Sequence, residues 1–369
     1  MRAIHQFVPY LNEGAIGSHL LEIQRTIRGL GRESEVFAGE LPRGPLVGRA
    51  HLYTDYGTAF PGQADDVLLY HLALGSPMAR WLIHQPRFLA VDYHNITPFE
   101  FFEPWHQRLT EETAQGRLEM HQLAAHTGFS MADSTYNADD LLRAGYEQPA
   151  VVPILLDLAD LEAAPDPVTL ARLSEVKASG GRDWLFVGRM APNKCQHHLV
   201  AAFATYRRFY DPQARLHLVG GPSPDSYFDA VAAYARRLGV AAQVEISGSV
   251  SPAEMSAHYR AADVLVGLSE HEGFWVPPLE AWHHGLPVVA FSSTAVPETV
   301  GDGGLLLRDK SPDRVAAAVW RLLDDADLRT GLATAGRKRL ETFALEHTRA
   351  RFVEVLDQLD AAADAGPRR

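Results

Sequence analysis

The chain has 369 residues, room for two domains at roughly 100–200 residues each. Hydrophobic residues make up 46% and charged residues 22%, which excludes a disordered or fibrous chain. With 46 acidic against 34 basic residues the net charge is -12, which counts against nucleic-acid binding and against whole-surface attraction to anionic lipid, while a local basic patch stays open.

Short apolar runs alternate with longer amphipathic ones, the pattern of β-α units around a mostly parallel sheet, and the pattern occurs twice. The first half opens on an apolar strand over 4–10. The loop Asn12-Glu13-Gly14-Ala15-Ile16-Gly17-Ser18 follows. Ile16, Leu20, Ile23, Ile27 and Leu30 then recur at helical spacing, with Gly29 and Gly31 as the stop. Residues 35–38, 66–71, 87–93 and 128–133 read as further strands, and 110–125 as a long helix. Residues 151–157 and an acidic, alanine- and proline-containing stretch to Val168 read as the connection between halves. In the second half, strands are predicted over 184–188, 215–219, 243–247, 263–268 and 287–291. A C-terminal helix is predicted over 345–361, followed by a frayed end. The domain boundaries expected from this pattern are 1–160, 161–343 and 344–369. The fold class is α/β, with two doubly wound Rossmann-like domains.

Only Cys195 is a cysteine, so neither an internal disulfide nor a cysteine-built zinc site is available. The first ten residues lack the long apolar core of a signal peptide, and no run of about 18 uncharged apolar residues occurs. A cytoplasmic location and no transmembrane segment are therefore expected. The cations are nearly all arginine, with lysine only at 177, 194, 310 and 338.

In doubly wound sheets ligands sit beyond the carboxyl ends of the strands, so chemistry belongs in the loops that follow strands. Three loops stand out. After the strand over 263–268 comes Glu270-His271-Glu272-Gly273-Phe274-Trp275-Val276-Pro277-Pro278-Leu279-Glu280. Its prolines suit a loop and a first helical turn, which places Glu272 in the loop and Glu280 in the helix. The N–H groups of Gly273, Phe274, Trp275 and Val276 could face an anion, while the two carboxylates accept hydroxyls, as a sugar nucleotide requires. A capped helix with solvated acids reads equally well from spacing alone. After the strand over 184–188 comes Gly188-Arg189-Met190-Ala191-Pro192-Asn193-Lys194, where Arg189 offers a fork and Lys194 a point charge to phosphate oxygens. Alone, this pair also reads as two surface cations. After the first strand, Gly14 and Gly17 allow close backbone approach, but the spacing is not that of a dinucleotide fingerprint, and a plain turn is the commoner reading.

Taken in order, the three loops resemble those of retaining glycosyltransferases of family 4, the glycosyl transferases group 1. Glu272 to Glu280 fits the E-x7-E pattern within EGFG-x-P-x-LEA, and Gly188-Arg189 to Lys194 fits GR-x-x-x-x-K. The resemblance covers nearly the whole chain and is strongest over 184–300. It implies the GT-B fold, with an N-terminal acceptor domain and a C-terminal donor domain facing a cleft. The C-terminal helix would then return to the N-terminal domain.

By the same resemblance Arg189 and Lys194 neutralise a donor diphosphate. Glu272 binds hydroxyls of the transferred sugar and Glu280 the ribose. Gly273 and Phe274 offer N–H groups, Ser249 and Val250 lie beside the base, and Gly17 faces the diphosphate. His94, in Asp92-Tyr93-His94-Asn95, is expected to contact the transferred sugar, against the reading of a histidine fixed in a turn. His71 is a weaker candidate on the acceptor side. His271 would orient its loop, and His197 and His198 are read as structural or exposed. Trp275 stands where the family often has a third glycine, and its bulk is expected to narrow the site or alter the donor sugar. Lys194 beside Cys195 could lower the thiol pKa, though nothing else points to a nucleophile.

The implied reaction is transfer of a sugar from a nucleoside diphosphate to a hydroxyl acceptor, with retention. No carboxylate is an obvious nucleophile, which favours attack on the same face. No metal and no cofactor are expected, because cations and a helix terminus would carry the charge neutralisation. Alternatives are a hydrolase, phosphorylase or epimerase on the same donor, or a silent scaffold. The acceptor is open among polysaccharide, glycolipid and secondary metabolite, with peripheral membrane contact possible on this reading. Residues 1–150 hold 11 basic and 18 acidic residues, which disfavours an anionic lipid. UDP, GDP, ADP and dTDP donors all occur on this scaffold.

Overall fold

The computed structural model describes residues 2–158, 162–178 and 180–366. The chain divides into two compact units. Unit 1 is Met1–Glu103, Gln107–Asp157 and Phe343–Arg369. Unit 2 is Pro104–His106 and Leu158–Thr342. The sequence placed the divisions after 160 and 343, whereas the chain divides at 157/158 and 342/343.

Unit 1 holds a seven-stranded sheet in the order β3-β2-β1-β4-β5-β6-β7. The strands are β1 (Ile4–Tyr10), β2 (Val36–Glu40), β3 (His51–Leu52), β4 (Val67–Leu72), β5 (Phe88–Tyr93), β6 (Phe129–Ala132) and β7 (Ala150–Val151). All pairs are parallel, with Ile4 beside Val67 and Val67 beside Phe88. β4 and β5 are buried along their whole length, which is why they read as continuous apolar runs rather than alternating ones. The helices are α1 (Ala15–Gly29), α2 (Pro77–Ile83), α3 (Gln107–Ala124) and α4 (Thr135–Arg143).

The last helix of the chain also belongs to unit 1. Its Phe352, Val355, Leu356 and Leu359 share a core with Ile4, Ile23, Ile27 and Val67.

Unit 2 holds a six-stranded parallel sheet in the order β10-β9-β8-β11-β12-β13. Its elements run α5 (Pro167–Ala178), β8 (Asp183–Val187), α6 (Gln196–Phe209), β9 (Arg215–Val219), α7 (Asp225–Arg237), β10 (Val244–Gly248), α8 (Pro252–Ala261) and β11 (Val264–Gly267). After these come α9 (Pro277–His283), β12 (Val288–Phe291), α10 (Val296–Val300), β13 (Leu305–Leu307), α11 (Pro312–Asp324) and α12 (Ala326–Glu341), and the chain closes with α13 (Leu345–Asp364) in unit 1. Trp184, Phe186, Leu216 and Val264 from the strands pack on Leu199, Phe203, Val315 and Leu322 from the helices. In each sheet the strand order reverses once, between β1 and β4 and between β8 and β11. These reversals are where doubly wound sheets bind ligands.

Candidate functional site

In unit 2 the two strongest sequence motifs leave adjacent strands, β8 and β11, on either side of the reversal. The loops beyond β8, β9 and β10 are stitched by backbone bonds. Gly188 N donates to Val219 O (3.0 Å), Met190 N to Gly221 O (2.8 Å) and Gly220 N to Gly248 O (2.8 Å). Gly220 sits at φ +146, and a Cβ there would lie 2.0 Å from Gly188 O, so only glycine allows this approach.

Arg189 projects from the first of these loops and donates through Nη1 to Ser223 Oγ at 3.2 Å. Its side chain is exposed. Desolvation lowers its pKa and Glu272 raises it, and a guanidinium so perturbed remains charged at neutral pH. Lys194 ends a short 3₁₀ turn, Pro192–Lys194. It does not open α6 itself, because Cys195, left-handed at φ 56, intervenes. Lys194 Nζ donates to Glu272 Oε2 at 2.5 Å, with the Lys194 side chain 17% and that of Glu272 6% exposed. The other oxygen, Glu272 Oε1, is buried and has no partner. Arg189, Lys194 and Glu272 thus form one charged group.

The 270–276 loop is held from three sides. Glu270 N donates to Asn193 O (2.8 Å), and Asn193 Nδ2 donates to His271 O (3.0 Å). Thr294 Oγ1 accepts from Glu272 N and donates to Glu272 O, both at 2.9 Å. Thr299 Oγ1 donates to Phe274 O.

Trp275 takes φ +75, the conformation that suits the glycine usual at this position. It is 6% exposed and lies over Gly267, where a Cβ would meet Trp275 Cζ2 at 2.1 Å. The bulk that the sequence places at this position is thus packed over Gly267 in the interior. Glu280 stands in the first turn of α9 and accepts from Tyr259 Oη. Burial raises its pKa and the tyrosine bond pulls it back. Ser249 and Val250 follow β10, and Gly221 faces Ser249 Oγ closely enough that a Cβ there would lie 2.7 Å from it.

A correction concerns Cys195. Its thiol is 1% exposed, and burial pushes its pKa up to about 11 despite Lys310 Nζ at 3.4 Å. His197 bonds the Tyr227 hydroxyl at 2.8 Å, and burial lowers its pKa to about 4.

In unit 1, Gly14 precedes α1 at φ +129. Gly17 lies against the Asn12 carbonyl, where a Cβ would approach to 2.0 Å. A cavity of about 370 Å³ opens beside the carboxyl ends of β1 and β2, lined by Tyr10, Asn12, Glu13, Glu40 and Arg43 among others.

His94 has a side chain with no exposed surface, and so does His71. His71 Nδ1 and His94 Nε2 are 2.9 Å apart, His71 Nε2 meets Gln6 Oε1 at 2.9 Å, and His94 Nδ1 meets Asp133 Oδ1 at 3.0 Å. Asp92 Oδ2 lies 3.1 Å from His19 Nε2, and the Leu155 N–H donates to His19 Nδ1 at 2.8 Å. As the structure stands, the His94 ring has both nitrogens engaged and no face open to a sugar. His19, Asp92, His94 and Asp133 offer donor atoms all within 4.8 Å of one another, a spacing that a metal ion could use. Sequence reading marked His71 and His94 as strand-end residues. It passed over His19 and Asp133, which come from other elements and meet only in the fold.

The sequence profile of the glycosyl transferases group 1 family matches residues 181–325, the stretch that carries Arg189, Lys194, Glu272 and Glu280. Residues 181–325 belong to the glycosyl transferases group 1 family.

Among curated relatives, the GDP-mannose-dependent alpha-(1-6)-phosphatidylinositol monomannoside mannosyltransferase of Mycobacterium tuberculosis H37Rv is 36% identical over 185 residues, 47% of each chain. A D-inositol 3-phosphate glycosyltransferase of Thermobispora bispora is 28% identical over 382 aligned positions, covering 93% of this chain and 89% of that one. The match to the mycobacterial relative thus spans about half of that relative's length. Two solved structures share the fold. Sucrose-phosphate synthase from Thermosynechococcus elongatus has a TM-score of 0.77 at 18% identity, covering 98% of this chain and 100% of that one. Anabaena HepE in complex with UDP and glucose has a TM-score of 0.73 at 19% identity, covering 97% and 100%. The chain has the GT-B fold, each unit carrying a Rossmann-like parallel sheet.

Proposed function

We propose that the chain is a retaining, metal-independent glycosyltransferase that moves a sugar from a nucleoside diphosphate to a hydroxyl acceptor in the cytoplasm. The observation that carries the reading is the Arg189, Lys194 and Glu272 group on the loops of β8 and β11, with a buried carboxylate oxygen left unpartnered. Glu272 holds one N–H of the Lys194 ammonium and leaves two for phosphate oxygens. Its free oxygen accepts a hydroxyl of the transferred sugar. Glu280, fixed by Tyr259, accepts from the ribose. Gly273, Phe274, Trp275 and Val276 supply backbone contacts to sugar and phosphate, and Ser249 and Val250 flank the base.

Cleavage of the anomeric bond builds negative charge on the leaving diphosphate. Arg189 and Lys194 stabilise that charge as it develops, which lowers the barrier more than it tightens ground-state binding. Loops tied at several points hold the cations in place beforehand, so little reorganisation is needed.

The relative's name makes GDP-mannose the first donor to try, and the HepE complex makes the uridine nucleotide the second. Titration calorimetry with GDP, UDP, ADP and dTDP, first without metal and then with magnesium, tests the reading. Metal-free binding of one nucleotide, lost in Arg189→Ala and weakened in Glu280→Ala, is the expected result. Binding of none by folded protein would overturn it. Product analysis with and without acceptor separates transfer from hydrolysis of the same donor.

A further inference from the structure

The cluster at the carboxyl edge of unit 1's sheet lies beside the β1/β4 reversal and has one self-consistent assignment of protons. Gln6 Oε1 and the Asp133 carboxylate can only accept, so His71 carries a proton on Nε2 and His94 carries one on Nδ1. His71 and His94 then face each other at 2.9 Å through Nδ1 and Nε2, and one of those nitrogens must hold a further proton. Asp92 Oδ2 stands near both rings, 3.4 Å from His71 Nδ1 and 3.6 Å from His94 Nε2, but only His94 also has Asp133, at 3.0 Å, so the extra charge belongs on His94.

His19 is settled the same way. The Leu155 N–H occupies Nδ1, so the nitrogen facing Asp92 bears the hydrogen and has no lone pair for a metal. The metal-like spacing is therefore that of a hydrogen-bonded network.

The titratable groups facing His94 are His19 from α1, His71 from β4, Asp92 from β5 and Asp133 after β6. The loop that follows His94 is equally determined. Asn95 takes φ 74 with its amide on Asn137 Oδ1 (2.7 Å), Ile96 N donates to Tyr93 Oη (3.0 Å), and Arg117 Nε donates to Ile96 O (3.1 Å).

We propose that Gln6, His71, Asp92 and Asp133 form a proton-holding network that keeps His94 doubly protonated, with His71 as the positioning residue that fixes the His94 ring and, through it, residues 94–98 for glycosyl transfer. Only that last step rests on the glycosyltransferase reading. The protonation pattern stands or falls on its own.

The burial of His71 pushes its pKa well below the ordinary value, while Asp133 and Asp92 outweigh burial at His94 and raise it to about 9. Nitrogen-15 histidine spectra of the full chain read both directly. His94 is expected to show two ring N–H groups at neutral pH and to titrate near 9, with His71 neutral and protonated on Nε2 throughout. In Asp133→Asn the His94 midpoint is expected to fall to roughly 6.5 or below, and the alkaline limb of transfer activity to move with it. A purely structural role for Asp133 would lower the melting temperature and leave the midpoint in place. A neutral His94 in the wild-type protein at pH 7, or stoichiometric zinc found by elemental analysis of the metal-repleted chain, would overturn the proposal even if the variant fails to fold. Normal nucleotide binding alongside such a result would leave the donor-site reading intact.

Discussion

The Trp275 indole reaches its buried place only because Gly267 lacks a side chain. Gly267→Ala sets a methyl into the ring, and overpacking of this kind costs about 1–3 kcal/mol. The ring can escape only by moving the 273–276 loop, so the variant is expected to lose nucleotide affinity together with melting temperature, measured on one sample by calorimetry. Unchanged affinity would separate the loop from donor binding. Lys194→Ala acts differently. It leaves a 6%-exposed Glu272 carboxylate without its cation, and breaking a buried pair from one side costs roughly 3–5 kcal/mol. Adding Glu272→Gln is expected to recover most of that stability, read as the denaturant midpoint, without recovering nucleotide binding. Cys195 is a third case. With its pKa near 11, about one thiol in a thousand is ionised at pH 8, so alkylation is expected only after denaturation. Arg189, Lys194, Glu272 and Glu280 could be singled out in the sequence because each motif is local, charged and set just after an apolar run. The Gly267 to Trp275 contact had no such mark, since a glycine ending a strand looks the same whether it makes a turn or makes room for a ring.

Elements were legible where burial writes itself into composition. β1 reads over its full observed length, and β4, β5, β9 and β12 lie within a residue of their expected ends, because buried strands are predominantly apolar. β3 and β7 span two residues each, too short to produce a pattern, and α12 fully buries only Gly336 of its sixteen residues, with Leu328 and Leu332 half-buried against the core, so its apolar stripe is weak. The loop between β1 and α1 shows how one glycine pair carries two unlike constraints. Gly14 needs its φ of +129 and has empty space where a side chain would go, whereas Gly17 has an ordinary conformation and the Asn12 carbonyl in the way. Gly14→Ala is expected to cost about 1–3 kcal/mol as backbone strain. Gly17→Ala is expected to displace residues 12–14, costing more and changing the amide spectra of that loop, which Gly14→Ala leaves closer to wild type. Equal effects from the two substitutions would remove the Asn12 contact as the cause. The histidine network was out of reach of any pattern, since its members are brought together by β1, α1, β4, β5 and the turn after β6.

At the scale of the whole chain, the last helix decides whether unit 1 folds. α13 is separated from the rest of unit 1 by all of unit 2 in sequence, yet Phe352, Val355, Leu356 and Leu359 sit in the unit 1 core. Polar contacts fix its register. Arg32 forks onto Asp360 at 2.8 and 3.0 Å, and Arg349 reaches Glu22, itself almost fully buried, at 3.0 Å. Each of the four apolar side chains contributes about 1.5–3 kcal/mol on burial, and together they match the whole margin of about 5–15 kcal/mol by which a domain is stable. Removing residues 343–369 also takes the Arg349 partner from the Glu22 carboxylate, which keeps Arg25, and opens Ile4, Ile23, Ile27 and Val67 to water. Unit 2 keeps its own sheet and its own core through that truncation. The truncated chain is therefore expected to lose the unit 1 melting transition in scanning calorimetry, to bind a hydrophobic dye, and to retain a cooperative transition for unit 2. Survival of the unit 1 transition would mean that β1 to β7 and α1 to α4 close a sufficient core without α13, against the packing seen here.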